Sequence, residues 1–258
     1  MSMQSFTGRP APRAPRLLRA ARRPRLLLAC GLTLLLAACA STPPSTFYTL
    51  TPIPEAAGRA GDITGGRVSV GLGPVTFPQF LDRPQIVTRT GSNELSVNEF
   101  HRWGGALQDD FLRVWGEDLA LLLSSSRVTL FPAESRAPLD FRVPAEVLAF
   151  EGGPDGAAVL KVRWSVMDDR LRHSLTARED AYRCPIRGGS TAVAGADPQA
   201  ATAARYTAVV AAMSQCLGAF SRDVAGVLAR LPKPESPQPP PAPSSIITPV
   251  PPAPTPQR

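Results

Sequence analysis

The groups in this chain that could do chemistry are few: four cysteines, two histidines and the Asp pairs Asp109-Asp110 and Asp168-Asp169. Neither His101 nor His173 stands in a spacing that would ligate a metal with neighbouring donors. Gly71-Leu72-Gly73-Pro74 lacks the third glycine and the following helix of a phosphate loop, and Pro74 removes an amide that a phosphate would use. No Gly-x-Ser-x-Gly elbow is present. Asp109-Asp110 falls on the polar side of a helical pattern and Asp168-Asp169 in a turn, where solvated charge is the default. Enzymatic chemistry, a cofactor and a bound metal are therefore not expected.

The cysteines carry more information. Residues 1–38 hold seven arginines and no acid, and an apolar run from Leu26 to Ala38 ends at Cys39. A basic start, a short apolar stretch and small residues before a cut site make a secretory signal. The run is too short to span a bilayer comfortably. Leu36-Ala37-Ala38-Cys39 resembles the bacterial lipobox, which implies cleavage before Cys39 and a covalent lipid on its thiol. Cys30 follows Arg25 too closely to leave an apolar stretch. Ala40, where inner-membrane retention is associated with Asp, favours the outer membrane by the same resemblance.

Cleavage also changes the electrostatics. The chain is formally +7, but the signal holds seven of its 28 basic residues, and the 21 left match the 21 acidic ones. Nucleic-acid binding loses its main support. Cys184 and Cys216 remain in the body; in an oxidising compartment an even pair reads as a disulfide, with two buried thiols as the alternative.

Elements must position whatever these residues do. Residues 39–66 are rich in Ser, Thr, Pro and Gly and read as a tether, in which Phe47 to Leu50 could pair as an edge strand. The body, 67–231, has the size of one domain. Val68, Val70 and Leu72 alternate as in a half-buried strand; Ile86–Thr90 and Glu94–Asn98 flank a turn; Val128–Leu130, Phe141–Phe150, Val159–Val166 and Leu171–Tyr182 are further strands. Pro144 implies an edge or a bulge. One helix spans Gly104 to Ser124, with Asp118 on its apolar side and hence near an edge or paired. A second begins at Asp197-Pro198 and ends at Leu231-Pro232, its apolar stripe suited to a sheet or to an oligomer seam. The fold expected is α+β: a mixed, mostly antiparallel sheet packed by two long helices in a single domain. Residues 232–258 contain 12 prolines and are expected to be an extended or disordered tail.

One stretch, Phe77 to Trp103, is neither a clean helix nor a clean strand. Its run Phe80-Leu81-Asp82-Arg83-Pro84-Gln85-Ile86-Val87, with Arg89, Asn93-Glu94-Leu95 and Arg102-Trp103, resembles the signature of the PqiC-type (YmbA-like) ABC-transport auxiliary lipoproteins. The resemblance continues through Trp115 to Leu123, the Trp164 strand and Val209 to Ser214, covering about Phe47 to Leu231. It implies an outer-membrane-anchored periplasmic lipoprotein that works with an MCE-domain protein and an inner-membrane component in moving lipid between membranes, as a homo-oligomer. It brings no catalytic residues. On this reading Phe80, Leu81, Asp82, Arg83, Gln85, Arg89, Arg102 and Trp103 form a partner-contact surface. The alternative is that Asp82 and Arg83 pair within the body and Trp103 is core. Competing functions are a lipid carrier with an acyl-sized pocket between sheet and helices, and a structural envelope lipoprotein.

Overall fold

A computed structural model describes residues 44–55, 68–125, 127–132, 139–168, 173–188 and 197–232. The signal, Cys39 and the proline-rich stretch after Pro232 lie outside the described residues.

Among the described residues the fold is α+β, a single domain with one mixed sheet and two helices. Eight strands run β1 (Thr46–Tyr48), β2 (Val70–Thr76), β3 (Gln85–Gly91), β4 (Glu94–Trp103), β5 (Val128–Leu130), β6 (Phe141–Gly152), β7 (Ala157–Asp168) and β8 (Ser174–Pro185). Helix α1 (Leu107–Leu122) follows β4, and α2 (Pro198–Arg230) follows β8. The spatial order is β1-β4-β3-β6-β2-β5, with β7 on the other side of β6 and β8 beyond it. The long pairings, β3–β4, β6–β7 and β7–β8, are antiparallel; β1–β4, β2–β5, β2–β6 and β3–β6 are parallel.

β6 is the template of the sheet. β2 pairs along its first half as far as Thr76↔Glu146, and β3 meets the same side at Thr88↔Gly152, running in the same direction. Six residues of β6 thus face a span of twelve, Thr76 to Thr88, so the loop from Phe77 to Pro84 is an excursion from what is otherwise one strand line. Pro144 lies inside β6, opposite the slip in register between Leu72 and Val75. It marks a bulge, where its missing amide leaves no gap in the ladder, and not an edge. β2 is likewise interior: Val70 to Leu72 are buried on both faces, so the half-buried reading of this strand is corrected.

Alternation in β7 follows its placement between two strands beneath a helix. Leu160, Val162, Trp164 and Val166 are buried, while Lys161 and Arg163 are exposed. Their counterparts on the helices are Phe111, Val114, Trp115 and Leu119 of α1 and Met213, Leu217, Phe220 and Val224 of α2. Phe220 joins the layers, with ring centroids 5.1 Å from Trp115 and 5.9 Å from Trp164. The Asp197 side chain caps α2 by accepting from the Gln199 amide, with Pro198 at the first turn.

Within 39–66 the edge strand expected at Phe47–Leu50 forms as β1, and the tether expectation is corrected for residues 46–53. Residues 46–53 are built into the body: Tyr48, Leu50 and Ile53 are buried, and β1 adds to the edge of the sheet beside β4. The backbone here is held by side chains from both helices. The Leu50 amide donates to Asp110 Oδ2 (2.6 Å), Thr51 to Ser214 Oγ (3.1 Å) and Ile53 to Asp118 Oδ1 (2.8 Å), while Arg113 donates to the Leu50 carbonyl (3.2 Å). Burying a segment between two helices leaves its amides without a ladder, and these side chains supply the acceptors.

Candidate functional site

The excursion from Phe77 to Pro84 is fastened from below. Phe77 packs edge-on against Phe111 (5.4 Å between ring centroids), and Leu81 is 2 % exposed. Backbone turns close the loop, with the Leu81 amide donating to the Pro78 carbonyl (2.9 Å) and Asp82 to Gln79 (3.2 Å). The Trp103 amide donates to the Pro84 carbonyl (2.7 Å), tying the loop to the end of β4. What this scaffold presents outward is Gln79, Asp82, Arg83 and Pro84, all exposed, with Phe80 half-buried beside them. Among the described residues neither Asp82 nor Arg83 makes an ion pair.

Charge on the sheet's β6–β7–β8 surface behaves differently. Arg163 bridges Glu146 (2.7 Å) and Glu179 (2.9 Å), and Lys161 holds Glu179 as well (2.8 Å). Lys161, then Arg163, keep the Glu179 carboxyl below its usual range. That face is internally neutralised, whereas the Asp82–Arg83 tip is left to solvent.

The eight residues expected to form one contact surface separate into three groups. Phe80, Asp82 and Arg83 share the tip. Gln85 and Arg102 are register partners across β3 and β4 and meet at Glu99, which accepts from Gln85 Nε2 (2.9 Å), while Arg102 Nε donates to the Glu99 carbonyl (2.8 Å). Leu81, Trp103 and Arg89 do not belong to an open surface. Leu81 and Trp103 are core, at 2 % and 4 % exposure, because a loop with only polar side chains would have nothing to hold it to the sheet. Arg89 spends its guanidinium on Glu151, itself buried (Nη2 to Oε1 2.9 Å, Nε to Oε1 3.0 Å), and on the Ser92 carbonyl (3.2 Å). A buried carboxylate needs such a partner.

One surface residue escaped the sequence reading. Phe47 of β1 is in register with Arg102, which is in register with Gln85, so the three form a row across the outer face of β1, β4 and β3. Phe47 is 64 % exposed. Its signal in the sequence was alternation with Tyr48, legible only once the strand's pairing is known.

Other chemistry-bearing groups serve structure. Cys184 at the end of β8 and Cys216 in α2 form a disulfide, Cα atoms 5.7 Å apart. His101 is buried, stacked on Tyr206 (4.2 Å) with Nδ1 2.8 Å from the Tyr48 hydroxyl, and burial lowers its pKa. Asp118 is 1 % exposed and paired, accepting from Ile53 and from the Ser221 hydroxyl (2.8 Å). Burial pushes its carboxyl above the usual range, and those two donors pull it back. Among the described residues, no group of three or more His, Cys, Asp or Glu is gathered as for a metal, and no helix is long and apolar enough to cross a membrane. The space between sheet and helices, where an acyl chain would have to lie, is filled by Phe111, Trp115, Phe150, Trp164 and Phe220. Depressions of about 240 to 380 Å³ exist at the surface, such as the one lined by Thr88, Gly152, Arg205 and Val209.

A family model for the ABC-type transport auxiliary lipoprotein component matches residues 48–225, from β1 through most of α2. The chain belongs to this family. An auxiliary lipoprotein is a membrane-anchored component of a transport system, a class defined by its partners and not by an enzymatic reaction. The fold of this auxiliary lipoprotein is similar to the crystal structure of a Xanthomonas campestris protein, at 17 % identity and a TM-score of 0.51, covering 71 % of this chain and 95 % of that one. Two weaker likenesses bear on neither fold nor function. They are the PelC dodecamer from Paraburkholderia phytofirmans (10 % identity, TM-score 0.33, 69 % and 92 % covered) and a Neisseria meningitidis lipoprotein (12 %, TM-score 0.25, 63 % and 98 %). Among curated proteins none matches the chain in sequence.

Proposed function

We propose that this auxiliary lipoprotein is anchored through Cys39 in the outer membrane, faces the periplasm, and docks an MCE-domain protein of an intermembrane lipid transport system, working as a homo-oligomer. The observation that carries the docking role is the tip: Asp82 and Arg83 are exposed and make no ion pair among the described residues, on a loop whose Leu81 anchor is buried. Fixed, adjacent charges of opposite sign recognise a complementary pair and reject like charge, which confers specificity more than raw affinity. The protein's part is to position a partner; lipid passes through the partner, since this domain's interior is filled.

Reversing one charge tests the reading. Asp82→Arg is expected to abolish co-purification with the MCE-domain protein while leaving thermal stability unchanged, because the side chain is exposed. Retained co-purification would overturn the docking surface, and a matching drop in stability would mean that Asp82 is structural.

A further inference from the structure

We infer that the β1 edge of the sheet lies on the lipid surface, with Phe47 set into the interfacial layer. This rests on the reading of Cys39 as the lipidated residue.

The argument begins with reach. Thr46 opens β1, seven residues after Cys39. Fully extended, seven residues span about 25 Å. A domain of this length has a radius of gyration of about 15 Å, hence a diameter of about 40 Å. A leash of 25 Å cannot pass round such a body, so β1 must be on the membrane side. Had residues 39–66 all been tether, no such constraint would exist; the burial of Tyr48, Leu50 and Ile53 creates it.

The composition of that edge agrees. Pro44 to Phe47 and Thr49 are exposed, and so are Gly104, Gly105 and Ala106, which follow β4 next to them. The Gly104 amide donates to the Tyr48 carbonyl (2.8 Å), which holds the two strips together. None of these residues carries a charge, and charge is what makes burial in an interface costly. Phe47 is the most exposed of the large apolar side chains among the described residues, at 64 %. Across the sheet from it, Arg102 is ion-paired to Glu99 (3.5 Å), so this row adds no net charge to the edge. A lone exposed aromatic is ordinary on a protein surface; one on an uncharged edge within 25 Å of its own lipid anchor is placed where a bilayer meets it.

The test uses the full, lipidated protein in phosphatidylethanolamine–phosphatidylglycerol vesicles carrying brominated acyl chains, which quench nearby tryptophan. The native Trp103, Trp115 and Trp164 are 4 %, 0 % and 2 % exposed, so their background is shielded. Phe47→Trp is compared with Leu175→Trp, a 43 %-exposed position on β8, at the far end of the sheet from β1. The expected result is that both proteins float with the vesicles, and that the emission added at position 47 is blue-shifted and quenched while that at 175 is not. Flotation without quenching at 47, or equal quenching at both, would overturn the contact and leave the anchor standing. Protein that fails to float would remove the anchor reading, and the contact with it.

Discussion

Asp118 is the acceptor on which the attachment of residues 46–53 to the helices turns. Its two oxygens take the Ile53 amide and the Ser221 hydroxyl, both at 2.8 Å, at 1 % exposure. Asp118→Ala removes both acceptors. Ser221 retains the Leu217 carbonyl (2.9 Å), but the Ile53 amide is orphaned. A buried donor left unsatisfied costs about 1–3 kcal/mol, and the second lost bond adds about 1 kcal/mol, so about 2–4 kcal/mol is expected. Asp118→Asn behaves differently. Its carbonyl oxygen still accepts from Ile53, and its amide donates to Ser221 Oγ once the single Ser221 proton turns from position 118 to the Leu217 carbonyl, so stability is expected within about 1 kcal/mol of wild type. The pair also separates by pH. Burial raises the folded pKa of Asp118 above the ordinary value of 3.8, so the native state holds this proton more tightly than the unfolded chain. The stability so gained is fully present below 3.8 and is lost as pH rises through the folded pKa. The always-neutral Asn lacks that loss, so Asp118→Asn gains on wild type as pH rises. Urea unfolding of the oxidised protein, followed by tryptophan fluorescence across that window, measures both effects. An Ala variant within about 0.5 kcal/mol of wild type would refute the account, since that is the range of an uninvolved surface change. So would an Asn variant as damaged as Ala.

Arg89→Ala leaves Glu151 buried without its cation; with Arg89 about a third exposed, water screens part of the loss, and about 1–3 kcal/mol is expected in the same assay. Replacing Cys184 and Cys216 together by Ser opens a link across a sequence separation of 32, which the chain-entropy model values at about 3–4 kcal/mol. Reductant should lower the wild type to the level of the double variant and leave that variant unchanged; an unresponsive wild type would show that the bridge does not form in solution.

Local chemistry made some elements legible. Asp197-Pro198 and Pro232 bracket α2, and the strict alternation of Leu160, Val162, Trp164 and Val166 revealed a strand covered on one face. The failures share a cause: they depend on partners distant in the chain. Residues 46–53 read as a tether with one possible edge strand because Ser, Thr, Pro and Gly dominate the surrounding 39–66, and the burial of this segment requires Asp110 and Asp118, about sixty residues on. β2 read as half-exposed because Gly71 adds no bulk to its second face; that face is filled by Leu139 and Phe131, whose side chains stand where a Cβ on Gly71 would be. In the candidate site, the irregular pattern of 77–84 marked an unusual loop. It carried no period from which to learn that Leu81 points inward while Asp82 and Arg83 point out.

The excursion from Phe77 to Pro84 leaves and rejoins the flank of a single strand, β6. Its two ends therefore cannot move relative to each other unless the sheet itself deforms. A recognition loop held in this way has already lost most of its conformational entropy in folding, and little remains to be lost when a partner arrives. Association through it should be governed by shape and charge, with lock-and-key kinetics and no ordering step. Glycines inserted beside Pro78 would restore the missing freedom, and binding would weaken without any contact being removed.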